Sequence, residues 1–176
     1  MRVYIIRHTS VQVPRGICYG QTDVDLKVTF DQEAAVVKQN LESLTFDAIY
    51  TSPLSRCTRL ADYCGYRDAI RDDRLKEVDF GDWEWQYLYS MTDIPEVQYW
   101  FANQLTARPP KGESFRDVQQ RFLSFVEEKK AEGQQQIAAF AHGGIHLSAM
   151  EHLGTRFEGD IFSHLPGYGS VIPYDF

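Results

Sequence analysis

Two short apolar runs, far apart in the chain, each end in a histidine, and this constrains the fold more than any other feature. Val3-Tyr4-Ile5-Ile6 leads into Arg7-His8, and Ile137-Ala138-Ala139-Phe140-Ala141 leads into His142-Gly143-Gly144. Apolar runs without polar alternation read as strands buried on both faces. Such strands belong to open α/β sheets, whose ligands bind in a crevice beyond the carboxyl ends of the strands. There, His8 can act as a nucleophile and Arg7 can hold an anion beside it. After His142, the glycines let the backbone approach a ligand closely. The free N–H groups of the following helix can also face an anion.

A third strand end carries a second arginine. Phe46–Tyr50 leads into Thr51-Ser52-Pro53-Leu54-Ser55-Arg56. Ser52 reads as an N-cap and Pro53 as the first helical residue. Arg56 then lies in the first turn, where a helical side chain leans back toward the strand edge. A cation is unfavourable at that end of the helix dipole, and a bound anion would compensate it.

Further strands are expected at Ala69–Arg71 and Ser170–Tyr174, and helices at about Val28–Leu44, Leu54–Cys64, Ser114–Glu132 and Ile145–Leu153. This alternation predicts a three-layer α/β/α sandwich with a mostly parallel central sheet. With 176 residues and 43% hydrophobic content, the chain reads as one domain spanning 1–176. A helical excursion at about 85–111 is rich in aromatic residues, which pack a small cap or, in part, face a ligand. The net charge of −7 argues against nucleic-acid binding, so attraction of an anion must come from a local basic pocket. No apolar stretch approaches membrane-spanning length, and the N-terminus reads as a strand of the fold, not a secretory signal. Cys18, Cys57 and Cys64 lack metal-like spacing and suit a reducing, cytoplasmic setting.

Five segments, in order, resemble the histidine phosphatase superfamily, also called phosphoglycerate-mutase-like. They are Arg7-His8, the helix start Ser52 to Arg56, Leu75 and Glu77 with Phe80-Gly81, Trp83 and Glu84, then Gly112-Glu113-Ser114, and His142-Gly143. Within that family, His8-Thr9-Ser10 through Val13-Pro14-Arg15-Gly16 and Cys18-Tyr19-Gly20-Gln21-Thr22-Asp23 resemble the α-ribazole phosphatase-like subgroup of cobalamin biosynthesis.

The resemblance implies a phosphomonoesterase that forms a phosphohistidine on His8. Arg7, Arg56 and His142 would hold the phosphoryl group, Glu77 would protonate the leaving oxygen, and Gly143, Tyr19 and Gly20 would contact substrate. The chemistry of a phosphomonoester agrees: transfer needs positioning and charge neutralisation, which forked arginine contacts supply. An acid that donates near neutral pH must be held protonated by burial or by nearby negative charge. Asp72, Asp73, Asp79, Asp82 and Glu84 lie close to Glu77, and Glu84 could instead organise the site from behind. Thr9 and Trp85 stand where the family commonly has glycine. The expected partner is a small-molecule phosphomonoester, with no cofactor, metal, nucleic acid or membrane. Other readings are a broad-specificity phosphatase, a phosphoglycerate-mutase-type enzyme and a non-catalytic phospho-ligand-binding module. A metal site on His142 and His146, four residues apart, is a further rival.

Overall fold

The computed structural model describes residues 1–176. Strands β1 (Arg2–Arg7), β2 (Ala48–Thr51), β3 (Ile70–Arg71), β4 (Gln136–Ala141) and β5 (Val171–Asp175) form one sheet in the order β3-β2-β4-β1-β5. The β1–β4, β2–β4 and β2–β3 pairs are parallel, and β5 runs antiparallel to β1. Helices α1 (Phe30–Leu41), α2 (Ser55–Tyr63), α3 (Pro95–Ala102), α4 (Phe115–Ala131) and α5 (Gly143–His152) complete the fold.

The central strands divide their side chains between two cores, as the two-residue period of a strand requires. Val3, Ile5, Ile137, Ala139 and Ala141 pack with Val118, Phe122, Phe125 of α4 and Ile145, Ala149 of α5. Ile6, Ala138 and Phe140 pack with Ala34, Val37, Leu41 of α1 and Cys57, Leu60 of α2. These two cores make the three layers.

Strand order explains where the site lies. After β1 the chain passes through α1 to β2, beyond one side of β4. After β4 it passes through α5, on the opposite face, to β5 beyond the other side of β1. Adjacent parallel strands whose connections depart in opposite directions leave a crevice at their carboxyl ends. Arg7 pairs with Ala141 in the last register step, so His8 and His142 emerge side by side at that crevice.

Several element boundaries differ from the sequence reading. β2 begins at Ala48 because the Asp47 carboxylate accepts from the backbone N–H groups of Gln135 and Gln136. α1 begins two residues late, at Phe30, with Val28 fully in solvent. Ser52 is not the N-cap of α2, which starts at Ser55 after Leu54. The Asp23 carboxylate, remote in sequence, accepts from the Ser55 backbone N–H at 2.9 Å and does the capping. By contrast α4 starts with a full capping box in which Ser114 and Asp117 exchange hydrogen bonds. α5 includes Gly143 and Gly144, two residues earlier than the periodicity suggests. No helix is long and apolar enough to cross a membrane.

Candidate active site

His8, Arg56 and His142 are 1%, 0% and 0% exposed. Such burial of polar groups is sustained only where each is hydrogen-bonded or charge-compensated. The His8 Nδ1 lies 2.8 Å from the Thr9 carbonyl oxygen. A carbonyl only accepts, so Nδ1 carries the proton and Nε2 carries the free lone pair. Burial, with Arg56 next in importance, holds the His8 pKa well below the usual histidine value, so the ring is neutral. Thr9 thus contributes its carbonyl, which a glycine would supply equally. Its own side chain is fully buried.

Arg56 is fixed on three sides. Its Nε donates to His142 Nδ1 at 3.3 Å, Nη1 to the Thr22 carbonyl at 3.0 Å and Nη2 to the Gly20 carbonyl at 2.6 Å. With Nδ1 accepting, the neutral His142 carries its proton on Nε2, which donates to Ser52 Oγ at 2.8 Å. Burial, then the Arg56 charge, hold His142 neutral. The Ser52 hydroxyl, expected to cap α2, therefore orients this imidazole. In this arrangement His142 orients Arg56, and giving its proton to a phosphoryl oxygen requires exchanging Ser52 for that oxygen.

Arg7 is held differently. Its Nη1 donates to the Pro166 carbonyl, while its buried Nε has no partner. An uncommitted buried guanidinium donor has the chemistry to take an anion's oxygen as partner. The His8 and His142 ring centroids lie 5.2 Å apart, and the charges of Arg56 and Arg7 both act on the His8 ring.

Glu77 closes the other side. Its Oε1 accepts from the backbone N–H of Val78 and of Gly144, both at 2.9 Å. The carboxylate thus occupies the anion-favouring N-terminus of α5. Both contacts fall on Oε1 and leave Oε2 available. The two glycines of α5 are needed for close packing and not for backbone freedom. A Cβ on Gly144 would collide with Glu77 Oε1, and one on Gly143 would lie 2.6 Å from Leu165 and 3.6 Å from Arg7.

Three braces support the site, and of these Arg121 and the clamping role of Glu113 were not evident from sequence, whereas Glu84 was read there as organising the site from behind. Arg121 of α4 donates to the carbonyls of Arg74, Lys76 and Glu77, at 2.7, 2.7 and 2.9 Å. Glu113 accepts from Arg121 Nε at 3.0 Å and from the Asp79 backbone N–H at 3.1 Å, so the pair clamps the acid loop. Glu84 accepts from the backbone N–H groups of Gln21 and Thr22, both at 2.7 Å, and thereby fixes the loop whose carbonyls hold Arg56. A Cβ on Gly20, at φ +36°, would collide with that same carboxylate.

The crevice opens into a cavity of about 460 Å³. Arg7, Tyr19, Gly20 and Glu77 line its inner end, and Val13, Ile17, Leu88, Tyr89, Phe162 and Leu165 contribute an apolar wall. Most of the aromatic excursion packs: Trp83 and Trp100 meet edge to face at 5.8 Å, and both are buried. Trp85, at φ +64°, lies outside this cavity beside Asp23 and Asp25. No group of three or more His, Cys, Asp or Glu side chains is placed to hold a metal ion. His146 is buried one turn along α5, with Nδ1 3.0 Å from the Tyr174 hydroxyl.

Residues 3–172 match the model of the histidine phosphatase superfamily, branch 1. The chain belongs to that family. It is 29% identical over 150 residues to "Putative phosphoserine phosphatase 2" of Hydrogenobacter thermophilus, covering 81% of this chain and 73% of that protein. It is 33% identical over 131 residues to "Probable phosphoglycerate mutase GpmB" of Cronobacter sakazakii, covering 69% of this chain. The aligned part spans only 59% of that longer relative. Among solved structures, a "putative alpha-ribazole-5'-P phosphatase" of Escherichia coli K-12 superposes with a TM-score of 0.76 at 25% identity, covering 89% of this chain and 81% of that one. Members of the family are phosphatases or mutases that act on small phosphorylated substrates.

Proposed function

We propose that this protein is a metal-independent phosphomonoesterase that works through a phosphohistidine on His8, with α-ribazole 5′-phosphate as its substrate. The observation that carries the chemistry is a buried neutral His8, its Nδ1 on the Thr9 carbonyl and its ring within the field of Arg56 and Arg7, the latter lining a cavity together with Glu77.

The first half-reaction follows from those positions. The Nε2 lone pair attacks phosphorus, and the bond to the ester oxygen breaks in line. Arg7 and Arg56 neutralise the non-bridging oxygens, and the departing oxygen keeps the electron pair of the broken P–O bond and takes a proton that Glu77 holds while the phosphate's negative charge lies beside it. In the second half-reaction water attacks the phosphohistidine and returns a proton to Glu77, while the P–N electron pair goes back to Nε2. The Thr9 carbonyl stabilises the positive charge on the ring while the P–N bond exists.

Three observations support the base-bearing substrate: the Cys18-Tyr19-Gly20 loop, the apolar wall, and the likeness to the Escherichia coli protein. A cavity of about 460 Å³ with aromatic and aliphatic lining suits a flat heterocycle. Arg15 and Lys27 also line the cavity, which favours a second reading, a phosphorylated acid such as phosphoserine or phosphoglycerate. Turnover of α-ribazole 5′-phosphate, phosphoserine, 3-phosphoglycerate and simple sugar phosphates separates these readings. A kcat/KM for the ribazole ester roughly 10–200-fold above the others is expected, since apolar pockets discriminate by roughly 1–3 kcal/mol. Preference for either acid overturns the assignment. Binding of every ester without release of phosphate by any form would instead indicate a non-catalytic module.

A further inference from the structure

We propose that Tyr19 and Tyr168 form a two-leaf gate over His8, and that a phosphoryl group reaches the nucleophile only after the bond between their hydroxyls opens and Tyr168 swings aside. The proposal takes His8 as the reacting group, as above, but its decisive measurement does not depend on turnover.

The nucleophile is 1% exposed, so something must move before any phosphate reaches it. The Tyr168 ring is the movable cover. Its centroid lies 5.4 Å from that of His8 and 4.3 Å from the Arg7 guanidinium carbon. The Tyr19 ring lies 5.3 Å from the guanidinium carbon of Arg56. The two hydroxyls meet at 3.1 Å, so the Tyr168 ring that lies beside His8 is tied to Tyr19, and each phenol lies over one arginine.

The two leaves are not equivalent. Tyr19 adjoins Gly20, whose carbonyl holds Arg56, in a segment pinned by Glu84. Burial raises the Tyr19 pKa, which keeps its phenol protonated and able to donate. Tyr168, by contrast, is 44% exposed and stands between Gly167 and Gly169, the latter at φ +70°. Glycine at a positive φ permits backbone rotations closed to other residues. The backbone on either side is anchored, with the Pro166 carbonyl on Arg7 and the Gly169 N–H on the His8 carbonyl at 3.1 Å. The side chain can therefore turn outward while the strand end stays in place. Stacking also spares the arginines for substrate, because a guanidinium donates in its plane while an aromatic ring covers its face.

The test is the rate at which diethyl pyrocarbonate modifies His8 in the unliganded full chain, followed residue by residue by mass spectrometry. Exposed His152 serves as the internal reference. Tyr168→Phe removes the hydroxyl bridge and keeps the ring, and should speed modification of His8 by about fivefold, the factor one neutral hydrogen bond commands. Tyr168→Ala removes the leaf and should speed it by at least as much, with His152 unchanged. Equal His8 rates in wild type and Tyr168→Ala overturn the gate. Kinetics with p-nitrophenyl phosphate give the second arm. A closed pre-equilibrium inflates KM by the competent fraction, so Tyr168→Phe should lower KM by the same factor and leave kcat unchanged. A fall in kcat at constant KM would place Tyr168 on the reacting group and overturn gating. Faster His8 modification without turnover by any form would retain the gate and remove the phosphatase reading.

Discussion

The floor of the cavity and its wall are held by different means. The floor is Arg7 with His8, His142 and Arg56 buried behind it: Arg7, His8 and His142 stand at the ends of two neighbouring strands, and Arg56 is tied to three acceptors from two other segments. On the wall, Ile17, Leu88, Tyr89, Phe162 and Leu165 come from loops and short turns, and Tyr89 is half in solvent. A group fixed by sheet register cannot shift without disturbing both cores. A loop side chain can change while the backbone beneath it keeps its hydrogen bonds. On the proposed function, chemistry belongs to the floor and choice of leaving group to the wall, and substitutions in the two regions should fail in different ways.

The largest expected effect is on the floor. His8→Ala should reduce turnover by about 10⁴-fold or more, as loss of a covalent nucleophile does, with the thermal midpoint little changed. Phosphate release near the wild-type rate would move the chemistry elsewhere. Next comes Glu77→Gln, with a loss of roughly 10²–10⁴-fold on alkyl phosphates and much less on p-nitrophenyl phosphate. A phenolate leaves without needing the proton, so equal losses on the two esters would redirect attention to Asp79, Asp82 and Glu84.

On the wall, Ile17→Ala should change the ratio of kcat/KM between a base-bearing ester and a simple alkyl phosphate by roughly 1–3 kcal/mol. Its effect on p-nitrophenyl phosphate kcat should be small. A uniform drop across all esters would show that the wall supports the floor, and the division of labour would not hold.

The smallest effect per group is on stability. Burial lowers the pKa of His8, His142 and His146, the last to about 3. In the unfolded chain these rings titrate near 6.5, so below that pH the unfolded state binds protons that the folded state refuses, and stability falls. Each ring contributes about 1.4 kcal/mol per pH unit in that window and nothing well above it. Urea midpoints at pH 7.5 and 5.5 measure the slope. Indifference to this change would mean that the floor histidines are not held neutral.

What the sequence reveals of this division follows from distance along the chain. The strand ends at His8 and His142 are legible because an apolar run and its polar terminus are adjacent residues. The helix start near Ser114 is legible for the same reason, although its capping box with Asp117 was not read from the sequence. The role of Ser52 was not, because its hydroxyl faces a histidine from another strand, and Asp23 caps α2 from a separate loop. Tyr168, Pro166 and Arg121 carry no local signature at all. Their partners are His8, Arg7 and the Glu77 loop, brought near only when the sheet closes. The glycines at 143 and 144 were visible as a pattern, yet their cause is the packing of Leu165 and Glu77 against them.

The antiparallel pairing of β5 with β1 has a kinetic consequence. Residues 166–175 clamp residues 2–8: Pro166 takes Arg7, Gly169 takes His8, and Arg2 pairs with Asp175 at 2.8 Å. These are among the longest loops the chain must close, and loop closure of that span delays folding more than it costs stability. The hydrogen bonds of helices α1, α2 and α4 join residues close in sequence and need no such closure. In a refolding chain the contacts of Arg7 with Pro166 and of His8 with Gly169 are therefore expected last, once the final strand docks.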